Sequence, residues 1–575
     1  MTTKIDSGGT DIGSAGPGTR SCSGAATYAL LALLLVAVAA PLVAMLIRAV
    51  TGYNGDPSAL GQLAEPANLR IVGNTVLLGV LVVVISTAMA APLAFLMSWT
   101  RLRRHRWIDI AVMVPFLTPP YVAAMAWLDF TRINGLGERW LGPSGGALVR
   151  SVVESPVGMA AIMACEIFTF LYLLLRNRLD AVPASLDEMA AVAGASAGQR
   201  FRLVLAPLLS PTYALGALIV FIRAAGEFGT PVTLGNRIGF PVLVSEIYGN
   251  VTIDPLNFPR AAAFSTVLLT MGMTVWGLQQ WMSRREVPFG GRVARRTRVD
   301  TGWWTVPGWL WIGLVLLISV LVPYISIILG AMTVLRSKPP SMNNLTFDYF
   351  ARVLRPGRGL DALQNSIILS LLAATVATVL AVVCAMVIAR RRGVETRARS
   401  TARRGIDLLG IAPDTVPTIV LVIGFIFLWN APWLPFTPYN TRAMVVLAYV
   451  VITLPVVLQN VKVAYAAVDD KFLEAAAACG ATAWQTLWRI TIPLLMPGIV
   501  AGWLLAFLLG VREVVASSMV RPASLQLLSP WILGQFDQGH RAEAMAMTVI
   551  GVLGSTVVLV LLEWWRNRMS EKRSR

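Results

Sequence analysis

Apolar runs of about 20 residues recur along this 575-residue chain, and about 20 residues is the length at which a helix crosses the hydrocarbon layer of a membrane. They lie at residues 25–47, 71–98, 108–130, 157–176, 208–228 and 261–282, and again at 306–333, 365–389, 406–429, 442–462, 495–520 and 543–565. Inside lipid a backbone group has no water to bond, so a segment must satisfy its own amides, which a helix does. The chain is therefore expected to be an all-α polytopic membrane protein with twelve spans, six in each half. Its charged fraction of 14% is well below the roughly 25% of soluble domains. The first run is long for a signal-peptide core and ends at Arg48 without a small-residue cleavage site, so it reads as a spanning helix. Residues 1–24, rich in Gly, Ser and Thr, are expected to be disordered.

The formal charge of +18 raises nucleic acid as a partner, but the arginines cluster in short loops between apolar runs. With the amino terminus inside, the loops after even-numbered spans carry Arg101, Arg103, Arg104 and Arg106, then Arg176 and Arg178, then Arg284, Arg285, Arg292, Arg295, Arg296 and Arg298. The second half adds Arg390 through Arg404 and the tail Arg566 to Arg575. This is the positive-inside pattern of a protein with both termini cytoplasmic, so the bilayer, and no nucleic acid, accounts for the charge. One expected outer loop dissents: residues 334–363 carry Arg336, Lys338, Arg352, Arg355 and Arg358 against Asp348 and Asp361. The cysteines Cys22, Cys165, Cys384 and Cys479 form no CxxC pair, and His105 and His540 are isolated, so no metal centre is indicated.

One polar segment occurs twice. Glu188-Met-Ala190-Ala191-Val-Ala-Gly194 is followed by Pro207; Glu474-Ala475-Ala476-Ala-Ala-Cys-Gly480 is followed by Pro493, with each copy 286 positions from the other. Alanine-rich helix formers run to a glycine able to take the left-handed cap conformation. A second short helix is expected at Ala197–Leu205 and Ala483–Ile490, bearing Phe201 in one copy and Trp484 and Trp488 in the other, and stopped by the proline. The product is a surface helix–turn–helix with exposed aromatic and basic groups, which marks a docking site. Amphipathic loops resting on lipid would also show such groups, but lipid contact needs no fixed Glu–Gly–Pro spacing. The halves match elsewhere: Pro115 and Pro119 parallel Pro413 and Pro417, and Asn74 parallels Asn365. Two parallel repeats packed about a pseudo-twofold axis along the membrane normal follow.

This pattern resembles the EAA motif of ABC importer permeases of the type I fold. The resemblance covers about 71–282 and 365–565. It implies that the two segments are coupling helices inserted into clefts on two copies of an ABC ATPase subunit, with Glu188, Gly194, Glu474 and Gly480 at that contact. Met189 and Ala206 depart from the commoner motif residues. The fusion of two permease domains is similar to the ferric iron permease subfamily, as are Glu227-Phe-Gly-Thr and Val511-Arg512-Glu513-Val514 followed by Ala516-Ser517-Ser518. Related fused permeases for phosphonates, polyamines, sulfate or thiamine remain alternatives, and an ion-gradient carrier of twelve spans is the rival of a different class. The domain reading is a cytoplasmic amino terminus 1–24, a first permease half 25–282, a basic linker 283–305, a second half 306–565 and a basic tail 566–575.

Ionisable residues at bilayer depth face the bundle interior or water. Glu166 and Asp414 read as helix-to-helix ties. Arg223 and Glu227 read either as a self-neutralising i,i+4 pair or, with Arg512 and Glu513, as groups shaping a gate in the fifth and eleventh spans. No G-x-x-x-x-G-K-[ST] loop is present. The chain is thus expected to be no enzyme and to bind no cofactor, with ATP and Mg used by the partner ATPase and solute delivered by a separate extracytoplasmic binding protein.

Overall fold

The computed structural model describes residues 17–53, 55–105, 107–283, 305–338, 341–389 and 396–574. Residues 1–16 of the expected disordered segment 1–24, residues 284–304 of the basic linker 283–305, and Arg106, Arg390, Arg391 and Arg392 lie outside the described residues. Among the described residues the fold is helical, and the isolated bridges Tyr53–Asp56 and Thr333–Leu345 are the extended pairings. Ten helices are long and apolar enough to cross a membrane. Two further crossings are bent helix pairs: Trp107–Phe116 with Pro120–Phe130 at 95°, and Arg397–Thr415 with Thr418–Trp429 at 113°. With each pair taken as one span, the chain is a twelve-span, multi-pass membrane protein.

Prolines set the shape of both halves. The two bent spans break at Pro119 and Pro417, whose ψ values of 137° and 133° are extended rather than helical. Four other prolines are absorbed without a break. Leu35–Ala39 precedes Pro41, Phe201–Leu205 precedes Pro207, Leu317–Leu321 precedes Pro323 and Leu487–Thr491 precedes Pro493, and each of these segments is a π turn. In each, the residue before the proline bonds five residues back, as Ala206 N–H does to the Phe201 carbonyl. The wider turn relieves the clash between a proline ring and the carbonyl four residues earlier. The expectation that Pro207 and Pro493 stop the short helices is therefore corrected: each helix runs on through its π turn into the next span, Gly198–Ala225 and Trp484–Arg512.

Other boundaries move as well. The first helix starts at Pro17, so 17–24 is helical, and the last runs to Ser574, through the expected tail. Arg397, Arg399, Arg403 and Arg404 lie on a helix, Arg397–Thr415, rather than in a loop. The eleventh span ends at Arg512, and a separate short helix, Val515–Met519, follows.

Within each half, the second span packs along the fourth: Pro66–Trp99 on Pro156–Ala181, and Arg358–Ala389 on Arg442–Ala466. Asn74 and Asn365 lie about two turns inside their spans, and they do equivalent work. Asn74 Nδ2 donates to the Pro241 carbonyl (2.9 Å) and Asn365 Nδ2 to the Gln526 carbonyl (3.2 Å). The next residue takes a backbone N–H: Thr75 Oγ1 from Leu243 (2.9 Å), Ser366 Oγ from Leu528 (2.7 Å). These bonds pin the connecting helices Leu243–Thr252 and Leu528–Asp537 against the second span of their half.

The halves exchange their first spans. Ala40–Thr51 packs against Thr418–Trp429 of the second half, and Val322–Met332 packs against Pro120–Phe130 of the first. The exchange accounts for part of the dissenting loop 334–363. Arg336 pairs with Asp129 at the end of Pro120–Phe130, Arg132 donates to the Arg336 carbonyl, and Asn134 Nδ2 reaches the Ser337 carbonyl (3.2 Å). Arg352 adds a 4.0 Å approach to Glu543. On the same rim the backbone N–H of Asn134 (2.7 Å) and the Arg150 guanidinium hold the Glu138 carboxyl below its usual range. Two of the loop's five basic residues, Arg336 and Arg352, thus meet acids far away in the sequence.

The exchange depends on close backbone approach at Gly424, where a Cβ would lie 2.5 Å from the Pro41 carbonyl oxygen. Gly424→Ala is expected to destabilise the fold by about 1–3 kcal/mol through overpacking. Gly73→Ala, where a Cβ meets nothing within 4 Å, is expected to be neutral or slightly stabilising. Thermal unfolding of the two purified variants in one detergent checks this.

Candidate functional site: two surface elbows and a charged layer between the halves

The repeated segment folds in the same way twice. Ala184–Val192 and Asp470–Ala478 are short helices, and each ends in the same two-bond cap. Gly194 N–H bonds the Ala191 carbonyl and Ala195 N–H the Ala190 carbonyl, both at 3.0 Å; Gly480 bonds Ala477 and Ala481 bonds Ala476, also at 3.0 Å. This six-to-one, five-to-two arrangement needs a left-handed residue at its corner, and Gly194 and Gly480 supply it with φ of +84° and +73°. A second helix then starts on a reciprocal cap. Ser196 N–H donates to Gln199 Oε1 (2.8 Å) while Gln199 N–H points to Ser196 Oγ (3.4 Å); Thr482 and Gln485 repeat this at 2.9 and 3.3 Å. This is a Ser/Thr-x-x-Gln capping box. It is legible in both copies of the sequence at the repeat spacing, yet it is absent from the expectations above.

These cap bonds are local, each joining residues within five positions of one another. Each elbow's two helices pack on one another, Ala184–Val192 on Ala197–Arg200 and Asp470–Ala478 on Ala483–Thr486. Glu188 and Glu474 are exposed on the first helix of each. Ala191 and Ala475 are also exposed, Ala190 is half-buried and Ala476 is buried. Val192 is 90% exposed, Phe201 52%, Trp484 68% and Trp488 52%, and the two tryptophan rings meet edge-on at 5.5 Å. Arg202 and Arg489 are exposed beside them, as are Pro207 and Pro493 at the start of the following spans. Six crossings separate the elbows, so they lie on the same face of the membrane.

The interior candidates form a different set of bonds from the one expected. The i,i+4 pair of Arg223 with Glu227 does not form, because the helix ends at Ala225 and Glu227 lies past its cap. Glu227 instead accepts the N–H groups of Gly229 (2.6 Å) and Thr230 (3.1 Å), and Glu513 accepts that of Ala516 (2.9 Å). Both glutamates thus cap the turn that follows their span. Arg223 pairs with Asp414 across the halves at 3.1 Å, and Arg512 lies 4.0 Å from Glu166 and donates to the Phe116 carbonyl. Glu166 and Asp414 therefore tie helices together, as the sequence indicates, but from one half to the other. Arg223 also stacks over Phe170 (4.4 Å) and Arg512 over Phe116 (4.8 Å), and the two rings touch edge-to-face at 5.1 Å. The result is a continuous layer between the halves.

Comparison with known proteins matches both halves separately. Residues 83–288 and 377–574 each match the family described as "Binding-protein-dependent transport system inner membrane component". The chain is 23% identical over 554 residues to the ferric transport system permease protein FbpB of Actinobacillus pleuropneumoniae, covering 94% of this chain and 77% of that one. It is 22% identical over 541 residues to the Fe(3+)-transport system permease protein FbpB 2 of Haemophilus influenzae, covering 93% and 97%. The sulfate transport system permease protein CysT of Escherichia coli matches over 201 residues at 27% identity, covering 33% of this chain and 71% of its own length. Matching family domains over most of the chain, two elbows of one design and twelve spans in two repeats together show that the chain belongs to the binding-protein-dependent transport system inner membrane components, as a fused two-domain ABC permease.

Proposed function

We propose that this chain forms the membrane pathway of an importer whose ATPase binds the two elbows on the cytoplasmic face, with both termini on that face. One ATPase subunit docks on each elbow, hydrolyses ATP with Mg, and moves the half to which the elbow is joined. An extracytoplasmic binding protein delivers the solute to the opposite face. The observation that carries this is the identical capping of the elbows. Four backbone and side-chain bonds are repeated at each, so each elbow's bend is held by local bonds and presents exposed apolar groups that want a partner. Each elbow's second helix is continuous with the fifth or eleventh span, so a push on the elbow reaches the charged layer at that span's far end. In this reading Arg223, Glu227, Arg512 and Glu513 are pathway residues.

Ferric ion is the proposed solute. The relatives named for ferric transport match the fused chain over 94% and 93% of its length, whereas the sulfate relative matches 33%. Phosphonate, polyamine or thiamine import would use the same machinery. Uptake of ferric ion and of sulfate, measured in cells with and without this chain, separates the first two.

Two outcomes follow from the elbows. Glu188→Lys combined with Glu474→Lys inverts the charge at both docking surfaces, and ATPase co-purification and solute uptake are each expected to fall at least about tenfold. If both persist, the elbows are not the coupling surface. Ser196→Ala with Thr482→Ala removes the hydroxyl half of each cap, worth about 1 kcal/mol per helix. Amide hydrogen exchange over 197–205 and 483–491 is expected to quicken about fivefold while the spans stay protected.

A further inference from the structure

We infer that the two cross-half arginine contacts are unequal latches on the closed pathway: Arg512 is the lock that holds the resting state, and Arg223 is a weaker catch. This rests on the permease reading above, but it concerns the gate rather than the elbows. Aligning the bent spans on their prolines, Pro115 and Pro119 with Pro413 and Pro417, places Phe116 and Asp414 at the same position of the two halves. Each is the acceptor for an arginine from the end of the other half's fifth or eleventh span. The position is shared, but the accepting atom differs.

Both helices break at this point, and the residues that follow also differ. In the first half Pro119 is followed by Pro120, which has no N–H, so the Phe116 carbonyl lacks its donor four residues on. The Arg512 guanidinium supplies one. In the second half Pro417 is followed by Thr418, which has an N–H, although the 113° bend separates it from the preceding helix. There the arginine meets the Asp414 carboxylate instead. The surroundings differ too. The side chains of Arg223 and Asp414 are 40% and 38% exposed, and those of Arg512 and Glu166 are 18% and 13%. A half-exposed ion pair competes with water and holds weakly. Parting Arg512 from Phe116 and Glu166 strands a buried cation, a buried carboxyl and an orphaned carbonyl together. Separating the halves along this layer breaks both contacts, so the resistance to opening lies with Arg512.

Cys165 reports on this layer. It is buried, adjoins Glu166, and lines a small cavity with Pro115, Thr118 and Tyr324. In the full chain with its ATPase, and with Cys22, Cys384 and Cys479 changed to Ser, the rate of Cys165 labelling by a small methanethiosulfonate reads the opening of the layer. Arg512→Ala is expected to speed labelling at least about tenfold, and Arg223→Ala about fivefold at most. The exchanged pair Arg223→Asp with Asp414→Arg is expected to return to the parent rate. Arg512→Lys keeps the charge but not the fork, and is expected to fall between parent and Arg512→Ala; it stands in if the alanine variant fails to fold by thermal melting. Parent-like labelling in a folded Arg512 variant, or faster labelling in Arg223→Ala than in Arg512→Ala, overturns the proposal. Failure of the parent chain to co-purify with an ATPase would refute the coupling reading instead; the labelling comparison, then run on the full chain alone, still tests the two latches.

Discussion

A proline in a membrane helix leaves a carbonyl without its donor, and lipid offers none in exchange. This chain places such prolines at matching points of both halves and answers them in two ways. Where a π turn precedes the proline, at Leu35–Ala39, Phe201–Leu205, Leu317–Leu321 and Leu487–Thr491, the helix continues and only shifts its face. Where the prolines are doubled at a four-residue step, the helix breaks by 95° or 113°. The breaks are where the halves meet: the second legs, Pro120–Phe130 and Thr418–Trp429, receive the first spans of the opposite half, and the bend at Phe116 receives Arg512. The backbone defect in one half is thus satisfied by a side chain of the other, which makes the two repeats one structure rather than two domains on a tether.

The same economy of bonds separates the stiff parts from the parts that can yield. The elbows are held by local caps, Gly194 and Gly480 at the corner and Ser196–Gln199 and Thr482–Gln485 at the restart, and their helices pack on each other. The connecting helices are pinned by Asn74, Thr75, Asn365 and Ser366. By contrast the layer of Arg223, Phe170, Phe116 and Arg512 is made of long-range contacts between rigid pieces. Rigid-body motion concentrates its change at interfaces of this kind, so a layer between the halves is the natural place for a pathway to open.

The repeat also shows where symmetry stops. The elbows differ in what they expose, Phe201 in one and the Trp484–Trp488 pair in the other. At the rim opposite the elbows, the seventh span is held by the Asp129–Arg336–Arg132 knot, while the first is held by rings: Tyr53 lies 5.3 Å from Phe258 and 5.2 Å from Phe427. A duplicated backbone can keep its geometry while the side chains at equivalent points diverge, because the fold needs the contact and not a particular chemistry for it.

The sequence by itself determined the twelve spans, the two-fold repeat, the elbows and their glycine corners, and the bends at the doubled prolines. Each of these is local: apolar length, a left-handed corner and a missing N–H are properties of neighbouring residues, and the capping boxes belong to the same class. Only the tertiary structure decided the partners of the charged groups. Arg223 stands four residues from Glu227 in the sequence but pairs with Asp414, and Arg336 finds Asp129, because helix ends and span exchange set those distances. Within loop 334–363, Arg336 and Arg352 meet acids that stand about two hundred residues away, and long-range packing alone brings them there.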